Sequence, residues 1–126
     1  NQGTLFVVND AQADASYLEL KAAYAYNRKK HLEKHIELGE GLAGQAWQEG
    51  ETICLTEIPQ DYIRITSGLG DAPPTNLLIV PLKHEQKVQG VLELASFKVF
   101  ASHQISFVEK VAENIASVFS SAKIRE

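Results

Sequence analysis

Gly39-Glu-Gly-Leu-Ala-Gly-Gln-Ala-Trp47, followed by Glu49-Gly-Glu-Thr-Ile-Cys-Leu55, is the stretch on which the fold turns. Its first three glycines are spaced by two and then three, between a strand-like run at 35–38 and a helix-like run at 42–48. Gly39 and Gly41 suit backbone with positive φ, and Gly44 suits close packing of the helix onto a neighbour. Gly50 closes the helix as a left-handed cap, and 51–55 then reads as a strand.

Working outward, Thr4-Leu-Phe-Val-Val8 is a β-branched and aromatic run that predicts a buried strand. Residues 9–16 read as a loop. In 17–26, Leu18, Leu20, Ala22, Tyr24 and Tyr26 alternate with Glu19, Lys21, Ala23 and Ala25, which predicts a strand with those five on one face. Residues 27–34 form a basic connection, 61–67 suit a short helix, and the Gly- and Pro-rich 68–74 is loop. Residues 77–82 and 88–96 predict a hairpin over His84-Glu-Gln-Lys87. From Ser102, which suits an N-cap, apolar residues recur at three and four through Ile105, Val108, Val111, Ala112, Ile115, Val118, Phe119 and Ala122. About six strands with short connections and helices near the ends predict an α+β domain built on a largely antiparallel sheet.

The chain has 126 residues, 44% of them hydrophobic, with a net charge of −4. That length suits one domain with a single core. The acidic balance argues against nucleic acid, and no apolar run approaches the length of a membrane span. Cys54 is the only cysteine, so no disulfide framework exists within the chain and a reducing compartment is consistent. The chain opens on Asn1 and contains no methionine. It reads as one domain over 1–126, excised from a longer polypeptide.

Few motifs of catalysis are present. There is no P-loop, nucleophile elbow, His-Glu-x-x-His or Cys-x-x-Cys. His31 and His35 have the i, i+4 spacing of helical metal ligands but lie in a Lys-rich connection, where solvated loop residues are the better reading. His84 and His103 read as surface residues. Cys54, between Ile53 and Leu55, reads as a buried structural thiol. The basic run Arg28-Lys-Lys-His31 lacks interleaved aromatics and is diluted by Glu33 and Glu37, so it reads as a solvated loop. Trp47 reads as core. Glu93 is the odd residue of its strand: it shares a face with Val91 and Ala95, and either that face is wet or the carboxylate turns into a pocket.

The order of these segments resembles the GAF domain, a sensory module of signalling proteins. That family's Gly-x-Gly-Leu-x-Gly block, Gly-Glu-x-Val strand, Pro-Leu strand end, Gly-Val-Leu-x-Leu strand and Phe-led terminal helix have counterparts at 39–44, 50–53, 81–82, 90–94 and 100–115, with Ile53 in place of Val. The resemblance implies a GAF-like, profilin- or PAS-like sheet. The terminal helix would cover one face, and a pocket roofed by 57–75 the other. It implies a helix before the first strand, which this chain would lack.

The implied ligand is an unidentified small molecule held by Tyr62, Arg64, Thr66, Ser67, Val91 and Glu93. Val108, Val111, Ile115, Val118 and Ala122 would form a dimer and signalling helix that relays the pocket's state to a downstream output domain. A cytoplasmic region of a bacterial sensor histidine kinase, in two-component signal transduction, or of a chemotaxis-receptor-like protein is the implied setting, and the domain itself would not be an enzyme. No cofactor is assigned. The cyclic-nucleotide signature of the family is not found, no bilin-tethering cysteine lies on the roof segment, and nothing matches a haem or metal set. Asp61, Tyr62 and Arg64 supply only part of an iron-binding set, which would also need Cys54. The alternatives are a ligand-free dimerisation module and an enzyme like the free methionine sulfoxide reductases.

Overall fold

The computed structural model of the chain describes residues 2–10, 16–24, 35–56, 76–96 and 98–125, without the side chains of 2, 23, 24 and 122–125. Six strands run β1 (Gln2–Asn9), β2 (Tyr17–Tyr24), β3 (His35–Ile36), β4 (Ile53–Leu55), β5 (Asn76–His84) and β6 (Lys87–Ser96). Two helices are described, α1 (Gly41–Glu49) and α2 (Ser102–Arg125). The strands form one sheet in the order β3-β2-β1-β6-β5-β4, every neighbouring pair antiparallel. This is the α+β architecture that the segment order predicts.

Alternation along the strands sorts side chains into two layers. On the inner face, Phe6, Val8, Leu18, Leu77, Ile79, Val91 and Ala95 bury against Ala43 and Ala46 of α1, with Trp47 half-buried beside them. On the outer face, Leu78, Val80 and Leu82 bury against Ala112 and Ala116 of α2. Small residues at 112 and 116 let the helix backbone lie close to β5, while Ile105, Val108, Ile115 and Phe119 fill the sides.

The glycine block sets how α1 meets the inner face. Gly39 and Gly41 have φ of 82° and 63°. A Cβ at Gly44 would stand 2.6 Å from the Glu37 carbonyl oxygen, closer than real packing allows, and the Gly39 N–H donates to the Gly44 carbonyl at 3.0 Å. The loop therefore folds back onto the first turn of α1. At the other end, Gly50 takes φ 67° and its N–H donates to the Ala46 carbonyl at 2.8 Å, a left-handed C-cap.

Three local expectations are corrected. Ala22 does not share a face with Leu18 and Leu20. The β1–β2 register passes from Phe6↔Leu20 to Leu5↔Ala22, so Lys21 is a bulge that turns Ala22 to the side of Leu5. Ser102 is not the N-cap residue of α2. The Ala101 carbonyl accepts from Gln104 and Ile105, and the Gln104 side chain accepts from the Ala101 N–H at 2.8 Å, half of a capping box. Cys54 is exposed. It pairs with Leu78 on the outer side of the sheet's edge strand, whereas Ile53 and Leu55 turn inward.

The β5–β6 hairpin closes in two residues, Glu85 and Gln86, with φ of 51° and 70°. Two left-handed residues suit the twist of a tight hairpin, yet neither is the Asn or Gly such a turn favours.

Candidate functional site

The inner face is largely apolar, and one row of strand partners across it carries polar side chains. Strand register aligns Thr4 with Glu93, Glu93 with Ile79, and Ile79 with Ile53. Glu93 is 6% exposed and Thr4 4% exposed. Thr4 Oγ1 has no hydrogen-bond partner among the described residues. Burying a hydroxyl that lacks a partner among the described residues costs free energy that a core selected only for stability would avoid. Tyr24 and Leu55, the last strand residues before 25–34 and 57–75, pair near this end of the sheet, opposite Gly3 and Leu77.

Of the six ligand residues expected from the sequence, the structure describes two. Val91 is fully buried in the inner cluster, and Glu93 follows it on the same face. Tyr62, Arg64, Thr66 and Ser67 lie outside the described residues, as does the short helix expected at 61–67. Sequence reasoning missed Thr4. It was absorbed into an apolar strand, and only the register opposite Glu93 distinguishes it. Of the helix set, Val108 and Ile115 pack on the sheet, Val111 is half-buried, Val118 is 64% exposed, and the Ala122 side chain is outside the described set.

Two open clefts lie elsewhere. One, of about 630 Å³, is bordered by 50–52, the β5–β6 turn and Glu109 and Glu113 of α2. Thr52 Oγ1 donates to Glu109 Oε2 across it at 2.7 Å. The other, of about 590 Å³, runs from Trp47 and Gln48 to Val8 and Lys87. Neither contains Thr4, Val91 or Glu93. Their charged walls are largely solvated, as in the 3.8 Å pair Lys87–Asp10, so the buried row is the better candidate.

On the outer side of β1 and β2, Asn9 Nδ2 donates to Tyr17 Oη at 3.0 Å and to Glu19 Oε2 at 3.1 Å. The Asn9 amide, and then Lys21 and His35, hold the Glu19 carboxyl below its usual range. His35 stacks on Tyr17 with ring centroids 4.2 Å apart. Among the described residues no group of three or more His, Cys, Asp or Glu is placed to hold a metal ion, and no helix is long and apolar enough to cross a membrane.

Residues 2–120 match the GAF domain family. Solved structures repeat the fold. The GAF domain of a phosphoenolpyruvate-protein phosphotransferase from Coxiella burnetii is similar at TM-score 0.78 and 20% identity, covering 98% of this chain and 74% of that one. The second GAF domain of DevS from Mycobacterium smegmatis is similar at TM-score 0.72 and 22% identity, covering 98% and 83%. A free methionine-R-sulfoxide reductase from Neisseria meningitidis, solved with its substrate, is similar at TM-score 0.72 and 20% identity, covering 99% and 70%. No curated protein matches the chain.

Proposed function

We propose, from the premise that this chain belongs to the GAF domain family, that it is a regulatory domain which binds a small molecule on the inner face of its sheet. The buried row of Thr4 and Glu93 carries the reading. A hydroxyl and a carboxyl set among Phe6, Ile79 and Val91 offer a donor and an acceptor within apolar walls, the mixture that fixes a small ligand's orientation. Tyr62, Arg64, Thr66 and Ser67 are proposed as further contacts from the sequence. The ligand's state would pass through α2 to an output domain in a longer parent chain, a histidine kinase or chemotaxis-type receptor of the cytoplasm, with two copies joined as a homodimer. Such coupling requires the ligand to favour one of two arrangements of the domain.

We read the domain as non-catalytic. Its single thiol, Cys54, stands on the outer side beside Leu78, opposite the face that buries Glu93. A lone thiol there has no second cysteine in the chain with which to complete a disulfide cycle.

Native mass spectrometry of the folded chain tests the reading. The expected result is a reproducible added mass that leaves on denaturation and is weakened in Thr4→Val and in Glu93→Gln. A clean apo mass after incubation with cyclic nucleotides, tetrapyrroles and a metabolite pool would favour the ligand-free interaction module. Methionine sulfoxide reduction that is lost in Cys54→Ala would overturn the non-catalytic reading, whereas activity that survives that substitution would sink a thiol mechanism.

A further inference from the structure

We propose a second binding site, at the far end of the inner face, in which Trp47 and the buried amide of Gln89 hold a small planar heteroaromatic that carries an N–H donor. It is separate from the row of Thr4 and Glu93. Along β1, Val8 stands four residues beyond Thr4, about 13 Å away.

Gln89 reaches the inner side through a bulge in β6. The β5–β6 register passes from Leu82↔Gly90 to Lys83↔Val88, so Gln89 is the extra residue between them. Along its other edge β6 keeps step with β1 through Phe6↔Val91 and Val7↔Gly90. One step further Gln89 stands opposite Val8, on the side where Phe6, Val8 and Val91 are buried. Val88 lies on that side as well. A Cβ at Gly50, the C-cap of α1, would meet Val88 Cγ2 at 3.9 Å. Two successive residues of β6 thus face the underside of α1, where an unbroken strand would present one. Bulges commonly re-aim a side chain beside a site in this way.

Gln89 is 3% exposed, and its Oε1 has no hydrogen-bond partner among the described residues. A glutamine there gives up the hydration of an acceptor without regaining a bond, a cost that leucine in its place would not carry. The cleft of about 590 Å³ opens beside it. Val8 and Val88, its neighbours across and along the sheet, line that cleft together with Trp47, which is half-buried on α1. The site therefore offers an aromatic wall, two aliphatic walls and one amide oxygen behind them. Such a site takes a flat ring against the indole and orients it by one polar contact. The oxygen is an acceptor, so the ligand supplies the N–H. Charge narrows the class further. Asp10, Glu49 and Lys87 are the charged residues lining the cleft, and Lys87 is paired with Asp10 at 3.8 Å. The carboxylate of Glu49, which accepts from the neutral Gln45 amide at 2.9 Å, is left in excess. Anionic rings are disfavoured, and neutral or cationic ones are accepted.

Trp47 is the only tryptophan of the chain, so its fluorescence reports on this cleft. The probe is benzimidazole, a flat ring that is neutral in neutral buffer and carries one N–H. Its comparison is N-methylbenzimidazole, the same ring without the donor. The expected result is a saturable change in Trp47 emission with benzimidazole, matched by calorimetry, and binding of the methylated ring about tenfold weaker. Gln89→Leu should weaken benzimidazole by the same factor and leave the methylated ring unchanged, because the bond it removes is one that ring never made. No saturable emission change overturns the site. Equal affinity of the two probes for the native chain overturns the role of Gln89, whether or not Gln89→Leu folds. A penalty on methylation that persists in Gln89→Leu overturns it too, since the donor then meets another acceptor or the methyl group merely clashes. Thr4→Val separates the two sites. It should weaken retention of the inner-face ligand in native mass spectrometry and leave benzimidazole binding as it is. Benzimidazole binding that falls in Thr4→Val and not in Gln89→Leu would put the probe in the row of Thr4 and Glu93 and overturn the second site.

Discussion

The two faces of the sheet bury similar apolar side chains but differ in what they admit. Under α2, Leu78, Val80 and Leu82 meet Ala112 and Ala116 along a helix of 24 residues, and the buried polar residues of that face, the neutral pair Asn76 and Ser96, stand at the strand ends. Under α1, a helix of 9 residues, the inner face keeps Thr4 and Glu93 buried among Phe6, Ile79 and Val91. A face that only has to hold together has no use for a carboxyl in its middle. A face that has to recognise a ligand must retain polar groups to meet it, and at Thr4 the apo fold bears the desolvation of a hydroxyl without a partner among the described residues. The difference locates stability on one side of the sheet and, on the reading proposed above, recognition on the other.

The comparison breaks most visibly at Leu78. It is fully buried on the outer side, so Leu78→Ala should cost about 3 kcal/mol in urea unfolding while leaving ligand retention intact. Loss of ligand at unchanged fold would show that the faces are not independent. The β5–β6 turn supplies a control on neither face. Replacing its two left-handed residues by Asn-Gly, as Glu85→Asn with Gln86→Gly, should raise stability by roughly 2 kcal/mol, with ligand and dimer unaffected.

Thr4→Val sharpens the contrast in the opposite sense. Removing a buried hydroxyl that lacks a partner among the described residues should stabilise the apo domain by about 1 kcal/mol and weaken ligand retention. A stability loss instead would mean that the hydroxyl serves the fold. The smallest effect concerns Glu19 on the outer side of β2. Its folded pKa is depressed, first by the Asn9 amide, so its contribution is present above the unfolded carboxylate pKa and fades as pH falls through the folded value. The loss should be slight because the group is solvent-screened, and Asn9→Ala should abolish that part of the acid-side slope.

Much of the fold was legible in local chemistry. The glycine spacing at 39, 41, 44 and 50 announced two positive-φ positions, a close approach and a C-cap, because each is a demand that only a residue without Cβ meets at low cost. The candidate site was half legible. Glu93 stood out as a charge within an apolar alternation, whereas Thr4 looked like any β-branched strand residue until register set it opposite Glu93. Cys54 was misjudged for a related reason. Apolar neighbours at 53 and 55 suggest a buried strand, but burial on its side depends on whether a helix reaches the sheet edge, and Cys54 remains exposed there.

By itself the sequence determined the elements, their order and the periodicity of each, since dihedral preference and hydrophobic spacing are properties of neighbouring residues. Tertiary structure alone decided which side of an element faces what. A bulge at Lys21 turned Ala22 over, and α2 divided one broad apolar pattern into a stripe that closes the sheet and a stripe that remains exposed. Those outcomes depend on the placement of residues far apart in the chain, which no local spacing encodes.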